Sequence, residues 1–331
     1  MKLYYHCLII FIFSLCACNR VADSPYPDVQ WEKKSNLPIN GLVSARAASV
    51  EDKAYVFFGR VNHVNNSYGT YSKDCWEYDA TNDIWTKKSP CPGKARVNPI
   101  AITLNGKIYT GLGYGGEGVT NNKSHLTDFW MYDPATDLWE KKADYPNYET
   151  NGCICFIHEN KIYVGFGFHE LNFGASLMEY DPEKDEWNFI NSYQEQFRAL
   201  ATCCFDNDHI FMGTGYKTYN LNDWWQYTPS NDSWKKCKDM PDNGRQGAVS
   251  LCIKNRFFVS SGRYFRGDQT GGHLKSDVLE YDATRNVWYK RGDIPTDGRE
   301  NAIAFTINGK GYIGLGENMN NALNDLWCFE P

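Results

Sequence analysis

Four arginines recur at one fixed distance before a repeated aromatic residue, and arginine is the side chain best suited to bind a carboxylate or sulfate. Each precedes a Tyr or Phe by thirteen residues: Arg96, Arg198, Arg245 and Arg299. Arg46 lies four residues beyond the corresponding position of the first copy. If these arginines begin inner strands, they point toward a common mouth and form an anion-binding ring. The alternative is structural, with each arginine bonded to loop carbonyls or to a neighbouring carboxylate, and both hypotheses stay open.

A second set of residues directly follows a glycine that occurs in every copy of the repeat. Its members are Arg60, Tyr114, Phe168, Tyr216, Arg263 and Glu317. The set mixes cations, aromatic faces and a carboxylate, and this mixture suits a sugar, which stacks on rings and is hydrogen-bonded through its hydroxyl and acid groups. It also differs between copies, as a binding site on a repeated scaffold should. Packing that supports the loops is the alternative.

Histidines and glutamates in the same loops could also do chemistry. Four histidines fall there: His63, His125, His169 and His273. Their spacing is irregular, so we expect solvated side chains and predict no metal site. Glu117, Glu170 and Glu317 are possible acids or bases, but no spacing pairs them. The sequence contains no Ser-His-Asp order, phosphate loop or dinucleotide fingerprint, and no cofactor is predicted.

These candidate residues sit in a sequence that repeats six times. The clearest copy combines NGKIYTGLG at 105–113 with DFWMYDPATDLWEKK at 128–142. A period of about 50 residues with strand-like runs is typical of a propeller array. Each copy predicts four strands with side chains alternating at a period of two. We therefore predict an all-β fold of six four-stranded antiparallel blades spanning residues 29–331.

The repeated residues resemble the kelch repeat, and the resemblance covers nearly everything after residue 29. One feature departs from the family, whose second strand usually ends in a Gly-Gly doublet. The first glycine is replaced in every copy: Phe58, Leu112, Phe166, Thr214, Ser261 and Leu315. The resemblance also implies that an arginine at the place of the four repeated ones is common in the family, which favours their structural role.

The last copy of the repeat is incomplete, because it ends at Trp327-Cys-Phe-Glu-Pro331 after its third strand. A matching fourth-strand sequence, Trp31 to Lys34, stands before the first complete copy. We therefore expect Gln30 to Lys34 to close the last blade, which would remove two exposed sheet edges. The six blades are then expected at 42–88, 95–142, 150–191, 197–238, 244–291, and 298–331 with 29–35.

The N-terminus has the pattern of a targeting segment. Lys2 precedes an apolar run from Cys7 to Leu15, which is too short to span a bilayer and fits a signal-peptide core. The following Leu15-Cys16-Ala17-Cys18 resembles a bacterial lipobox, which implies a signal peptide over residues 1–18 and a lipid on Cys18. An ordinary signal peptide is the alternative. Residues 19–28 are predicted as a tether, and membrane attachment would depend on the lipid alone.

Composition limits the compartment and the partners. If Cys7, Cys16 and Cys18 leave the thiol pool, nine cysteines remain, and an odd number in an exported protein leaves at least one free thiol or an intermolecular bond. Cys155 and Cys203 align with small residues of other copies, so we expect core packing rather than metal binding.

The net charge of −6 without a basic run argues against a nucleic-acid partner. We expect a monomer.

Three functions fit these observations. The first is a lipid-anchored module, in the periplasm or on the outer surface, that binds a glycan or a protein at the channel mouth without catalysis. The second follows from a more distant resemblance to the kelch-type sialic-acid mutarotases, the N-acetylneuraminate epimerase family, and implies a cofactor-independent isomerase. The arginines and Glu317 are compatible with that activity, but no motif carries the family's active residues across. The third is a scaffold of a surface assembly.

Overall fold

Each repeat of the sequence folds as a four-stranded antiparallel sheet, and six such sheets stand around one axis as a propeller. The computed structural model describes residues 21–331 except 62–68, 117–123, 149, 171, 266 and 268–270. The signal peptide, Cys18, His63 and Glu117 of the sequence analysis lie outside the described residues. None of the described residues belongs to a helix long and apolar enough to cross a bilayer.

The strands of each blade run in order from the axis to the rim. In chain order, β1 is Gln30–Lys34 and belongs to the last blade. Blade 1 contains β2 (Arg46–Val50), β3 (Lys53–Phe57), the hairpin β4 (Arg60–Val61) and β5 (Thr70–Tyr71), β6 (Cys75–Asp79) and β7 (Ile84–Lys88). Blade 2 contains β8 (Ile100–Leu104), β9 (Lys107–Gly111), β10 (Phe129–Asp133) and β11 (Leu138–Lys142). Blade 3 contains β12 (Ile154–His158), β13 (Lys161–Gly165), the hairpin β14 (Phe168–His169) and β15 (Asn172–Phe173), β16 (Ser176–Asp181) and β17 (Glu186–Ser192).

The remaining blades follow the same plan. Blade 4 contains β18 (Thr202–Phe205), β19 (Ile210–Gly213), β20 (Trp224–Thr228) and β21 (Ser233–Lys236). Blade 5 contains β22 (Val249–Ile253), β23 (Arg256–Ser260), the hairpin β24 (Arg263–Tyr264) and β25 (His273–Leu274), β26 (Asp277–Asp282) and β27 (Val287–Asp293). Blade 6 contains β28 (Ile303–Ile307), β29 (Lys310–Gly314) and β30 (Leu326–Glu330). Two 3₁₀ turns are Gln194–Gln196 and Pro229–Asn231.

The predicted closure of the last blade by the N-terminal strand is confirmed. Strand β1 pairs antiparallel with β30, and Gln30 lies opposite Glu330 while Lys34 lies opposite Leu326. The rings of Trp31 and Phe329 are 4.8 Å apart, so the joined strands also share a core contact. The ring of blades is therefore held shut by pairing between the two ends of the described chain.

The repeated Tyr, Asp and Trp form the seams between blades. In blade 2 the Tyr132 hydroxyl donates to Asp137, which accepts the backbone N–H of Ser89 from blade 1, and Trp139 donates to the Ser89 carbonyl at 2.9 Å. Three more tryptophans make the equivalent bond at 2.8–2.9 Å: Trp85 to Ser35, Trp187 to Ala143 and Trp288 to Lys238. The residues that define the repeat are therefore those that join one blade to the next.

A closed ring of backbone hydrogen bonds surrounds the axis at the mouth. Each N–H donates to the carbonyl of the equivalent residue in the preceding blade, at 2.9–3.4 Å. The ring residues all have positive φ, between 49° and 72°: Ser44, Asn98, Gly152, Leu200, Gly247 and Asn301. Asn and Gly adopt this left-handed conformation at low cost, which explains four of the six ring residues. The ring makes this end of the channel narrow and rigid.

The departure from the Gly-Gly doublet has a packing reason. All six replacements, including Phe58 and Leu112, keep a positive φ of 57–63°. Their side chains are at most 1% exposed. Burying a Phe or Leu side chain stabilises a fold by roughly 1.5–3 kcal/mol, which offsets a left-handed strain of about 1–2 kcal/mol. The following glycine keeps its role, because a Cβ on Gly113 would lie 2.4 Å from the Val97 carbonyl oxygen.

Residues 21–29, most of them predicted as a tether, lie against blade 5. The Ala22 N–H donates to the Trp288 carbonyl at 3.0 Å. The Tyr26 ring packs under the guanidinium of Arg256 at 4.3 Å, and Arg291 donates two hydrogen bonds to the Pro27 carbonyl at 2.8 and 3.0 Å. This short stretch is therefore bound to the propeller before the chain enters β1.

Candidate functional site

The four repeated arginines are buried and paired with aspartates within their own blades. Arg245 is 0% exposed and donates to both carboxylate oxygens of Asp277, at 2.7 and 2.8 Å, and to the Ser261 carbonyl at 2.9 Å. The other three repeat this arrangement: Arg96 with Asp128, Arg198 with Asp223 and Arg299 with Asp325. Burial alone would raise the pKa of Asp277, but the charge of Arg245 holds it below its usual range. This geometry supports the structural alternative for the four arginines.

Arg46 is the exception among the five arginines of the predicted ring. Its guanidinium makes its hydrogen bond through Nη1 to the Ala45 carbonyl at 3.0 Å, and among the described residues no carboxylate pairs with it. Its side chain lines the central channel instead of the interior of a blade. The sequence placed all five in one class, and the structure separates them into four structural residues and one that faces the channel.

The residues that follow the repeated glycine are held in place by short antiparallel bridges. Each of them bonds through its backbone to the residue after the arginine position, and the pairs are Val43 with Arg60, Val97 with Tyr114, Asn151 with Phe168, Ala199 with Tyr216, Gln246 with Arg263 and Glu300 with Glu317. These bridges lie just outside the narrow backbone ring. The predicted set is therefore brought together around the mouth.

One half of the mouth is charged and joins blades 5, 6 and 1. Arg60 of blade 1 lies 3.1 Å from the Glu317 carboxylate of blade 6. Arg263 of blade 5 lies 2.7 Å from the Glu300 carboxylate, also of blade 6. Asn301 donates to Glu317 at 3.3 Å. Two carboxyl groups from one blade thus lie between two arginines from its neighbours.

Glu300 has the most unusual acidity of the mouth. It is 5% exposed, and burial raises its pKa to about 7; Glu317 also raises the pKa, while Arg263 and Arg60 act in the opposite direction. A carboxyl group with this pKa is present in both protonation states at neutral pH, as a general acid or base requires. The sequence analysis missed Glu300. The signal was available, because its equivalents Val43, Val97, Asn151, Ala199 and Gln246 are all uncharged.

The two arginines of the charged half do not use all of their N–H groups in hydrogen bonds to the described residues. The Nε atoms of Arg60 and Arg263 are buried, and neither has a hydrogen-bond acceptor among the described residues. The 2.7 Å approach of Arg263 to Glu300 satisfies the ion-pair distance, but the Nε–H is not aimed at the oxygen. The two side chains keep 21% and 16% exposure, so their guanidinium groups can meet a carboxylate of a ligand.

The other half of the mouth is aromatic and comes from blades 2 to 4. Tyr114 lies 5.2 Å from His125, measured between ring centroids, and His125 lies 4.6 Å from His169. Phe168 and Tyr216 lie close by, each contacting Phe173 at 5.3 and 5.9 Å. Flat apolar faces with a few polar edge atoms suit the ring of a sugar.

The expectation of solvated loop histidines is wrong for His125. It is 9% exposed, and burial followed by the neighbouring His169 lowers its pKa to about 4, so the ring is neutral. His125 Nδ1 and His169 Nε2 are buried without hydrogen-bond partners among the described residues, whereas His273 is exposed. No three His, Cys, Asp or Glu side chains of the described residues group as metal ligands. The cysteines of the described part of the chain are all free thiols.

The sequence of this chain is similar to a family profile and to several known proteins. The profile described as the KLHDC2/KLHL20/DRC7 Kelch-repeats domain matches residues 44–262. The N-acetylneuraminate epimerase of Pasteurella multocida (strain Pm70) is 25% identical over 311 residues, which cover 90% of this chain and 72% of that protein. Kelch-like protein 23 of Mus musculus is 23% identical over 284 residues, covering 84% of this chain. This chain spans about half the length of that Kelch-like relative, at 48%.

A solved structure shares the fold. The structure of YjhT superposes with a TM-score of 0.74 at 18% sequence identity, over 88% of this chain and 95% of that chain. At that identity the likeness establishes the arrangement of blades and nothing about the residues at the mouth.

Proposed function

This chain belongs to the family of kelch-repeat propellers, and from that premise we propose that its mouth binds an acidic sugar and interconverts the anomers of that sugar. The observation that carries the proposal is the pair Glu300 and Glu317 between Arg60 and Arg263. Such a pair supplies an acid, a base and two cations within one small site, and the reaction needs no cofactor.

The reaction consists of proton transfers around one bond. A carboxylate accepts the proton of the anomeric hydroxyl while the protonated partner gives its proton to the ring oxygen. The bond between the anomeric carbon and the ring oxygen breaks, which yields the open-chain carbonyl form. Rotation and the reverse transfers close the ring with the other configuration, so atoms, electrons and protons balance. Because Glu300 has a pKa of about 7, it is present in both protonation states near neutral pH and can either give a proton or accept one.

Recognition of the sugar follows from the two halves of the mouth. The guanidinium groups of Arg60 and Arg263, whose side chains are 21% and 16% exposed, offer positive charge to a carboxylate of the ligand. The aromatic half, with Tyr114 and Phe168, offers faces for the apolar side of the sugar ring. Relatives named N-acetylneuraminate epimerase, at 24–25% identity, support the choice of an acidic sugar of the sialic-acid class.

The proposal is tested by ligand binding combined with exchange spectroscopy. The full chain is titrated with N-acetylneuraminate, with its methyl ester and with a neutral hexose, and binding is measured by calorimetry. NMR exchange between the anomers is then recorded with and without protein. We expect binding of the acid and an increased exchange rate.

The other two functions appear as distinct outcomes of the same experiment. Binding of the acid without faster exchange would support a non-catalytic glycan-binding module. The absence of any sugar binding would support a protein-binding surface or a scaffold, for which the exposed Tyr148, Tyr219 and Met319 are the side chains to examine.

We also propose that the protein is exported and anchored by a lipid on Cys18, on the evidence of the lipobox-like sequence alone. Metabolic labelling with a fatty-acid analogue tests this. The natural sequence should incorporate the label and fractionate with membranes, and Cys18→Ala should do neither. Labelling that survives the substitution would contradict the proposal.

A further inference from the structure

The six inner strands enclose a channel cavity of about 380 Å³ directly inside the mouth ring. Small side chains line it in alternate positions, among them Ala47, Ala101, Ser250 and Ala304, with Cys155 and Cys203 in the remaining two blades. None of the described residues that line it is acidic, and Arg46 is the one basic residue among them. The cavity thus combines a neutral wall with one cation.

The hydroxyl groups of the wall are used to join the blades. Four of them donate to a backbone carbonyl of the preceding inner strand: Ser49 to Thr306 at 2.8 Å, Thr103 to Ser49 at 2.8 Å, Ser250 to Cys203 at 2.7 Å and Thr306 to Cys252 at 3.2 Å. These hydroxyl groups are uncharged and therefore do not balance the charge of Arg46. The thiols are neutral as well, since burial raises the pKa of Cys155 to about 12 despite the nearby Arg46.

Arg46 therefore carries a charge that none of the described residues balances. Its four counterparts in the repeat each have an aspartate, at 2.6–2.8 Å from the guanidinium. Arg46 has the Ala45 carbonyl, and its surroundings in the described chain contain no carboxylate. Burial lowers the pKa of Arg46, yet a guanidinium remains charged at every physiological pH. Arg46 is half-buried, and a partly desolvated charge without a counter-charge favours the binding of an anion.

We propose that the central channel is an anion site in which Arg46 holds one small monovalent anion, either a free inorganic ion or the carboxylate of a ligand at the mouth. The single guanidinium balances a single charge, so multivalent anions are disfavoured in the closed wall. The free-ion case is independent of the proposed function, whereas the carboxylate case rests on it.

The first experiment uses formate and bromide as probes, without any sugar. Thermal unfolding of the full chain is followed while formate is added at constant ionic strength with a bulky sulfonate as the balancing anion. We expect a saturable rise in Tm for the natural protein and for Arg285→Gln, which removes an exposed arginine on blade 5. Arg46→Gln should weaken the apparent affinity about tenfold or more, the loss expected for a hydrogen bond to a charged group. Arg46→Lys, which keeps the charge, should retain part of the response.

Location is read directly from crystals soaked in bromide. The anomalous signal should lie within hydrogen-bond distance of Arg46 in the natural protein and be absent from Arg46→Gln. An unchanged formate response in Arg46→Gln, or a natural protein without bromide in the channel, would overturn the proposal. Stability of Arg46→Gln in anion-free buffer controls for folding, and we expect it to equal or exceed that of the natural protein.

A second experiment separates the two sources of the anion. N-acetylneuraminate and its amide are titrated into the natural protein and into Arg46→Gln. If the ligand supplies the carboxylate, Arg46→Gln weakens binding of the acid, leaves the amide unaffected, and formate competes with the acid. If the anion is free, the acid and formate bind together and the substitution does not change sugar affinity. If the mouth binds the acid but does not accelerate anomer exchange, both sources of the anion remain open, whereas failure to bind the acid would leave the free ion alone.

Discussion

Glu300 and Glu317 lie opposite each other in blade 6 and are joined by two backbone hydrogen bonds. The Glu300 N–H donates to the Glu317 carbonyl at 3.0 Å, and the Glu317 N–H donates to the Glu300 carbonyl at 3.1 Å. Two carboxyl groups on such a bridge are forced to share a small volume, and burial of Glu300 favours its protonated form. The acid–base character of the mouth therefore originates in the backbone pairing.

Replacement of Glu300 by Gln should change how stability depends on pH. The pKa of Glu300 is raised from 4.5 to about 7, so the folded state holds a proton that the unfolded state has lost. Stability of the natural protein must then fall as pH rises from 4.5 to 7. Glu300→Gln should lack this decline and be more stable than the natural protein above pH 7, by about 3 kcal/mol. Urea unfolding at pH 5 and pH 8 measures the difference. Glu186→Gln, at an exposed site on β17, should leave the profile unchanged.

The paired arginines should be essential for folding rather than for ligand affinity. Arg245→Ala leaves Asp277 buried without its partner and should lower the free energy of unfolding by about 3–5 kcal/mol. Arg285→Ala removes an exposed arginine and should change it by less than about 0.5 kcal/mol. Chemical denaturation of both variants makes the comparison. If the Arg245→Ala protein were stable and had lost only the binding of acidic sugars, these arginines would be ligand-binding residues and not structural ones.

The glycine after each second strand should tolerate no side chain. Gly113 has a φ of 87°, and an added Cβ would approach the Val97 carbonyl oxygen at 2.4 Å. Gly106 has a φ of 73° but open space around it. Gly106→Ala should therefore cost about 1 kcal/mol of strain alone, whereas Gly113→Ala should cost more than about 2 kcal/mol, since the backbone must also shift. Equal losses in thermal unfolding would show that the close contact is unimportant.

Closure of the ring should depend on the first strand. Trp31→Ala removes the contact with Phe329 at 4.8 Å and should lower stability by about 2 kcal/mol, less than for a fully buried tryptophan. Ile84→Ala, an exposed position on the edge strand β7, serves as the control and should have little effect. If the Trp31 variant unfolds like the natural protein, β1 contributes little to closing blade 6.

Most of the fold could be predicted from the repeated residues of the sequence. Tyr132, Asp137 and Trp139 recur because each joins its blade to the neighbouring one, so their spacing predicts both the blades and their number. The missing fourth strand of the last copy likewise predicts the partner of β30. Such patterns can be recognised in the sequence because every copy of the repeat folds with the same geometry.

The candidate site was less accessible from sequence, because its chemistry depends on partners from different blades. Spacing does not reveal that Arg245 pairs with Asp277 while Arg46 pairs with no carboxylate of the described residues. Glu300 gains its acidity from burial and from Glu317, which a linear motif does not express. The contact of Tyr26 with Arg256 and Arg291 could not be predicted from the sequence for the same reason.

The rate of anomer exchange in N-acetylneuraminate, measured by NMR with equal amounts of natural protein and of the double variant Glu300→Gln/Glu317→Gln, tests the central claim most directly. We predict rapid exchange with the natural protein, with a pH dependence that changes near pH 7, and exchange at the uncatalysed rate with the double variant although the sugar still binds. Equal exchange rates for the two proteins would contradict the assignment of this carboxyl pair as the acid and base of the propeller mouth.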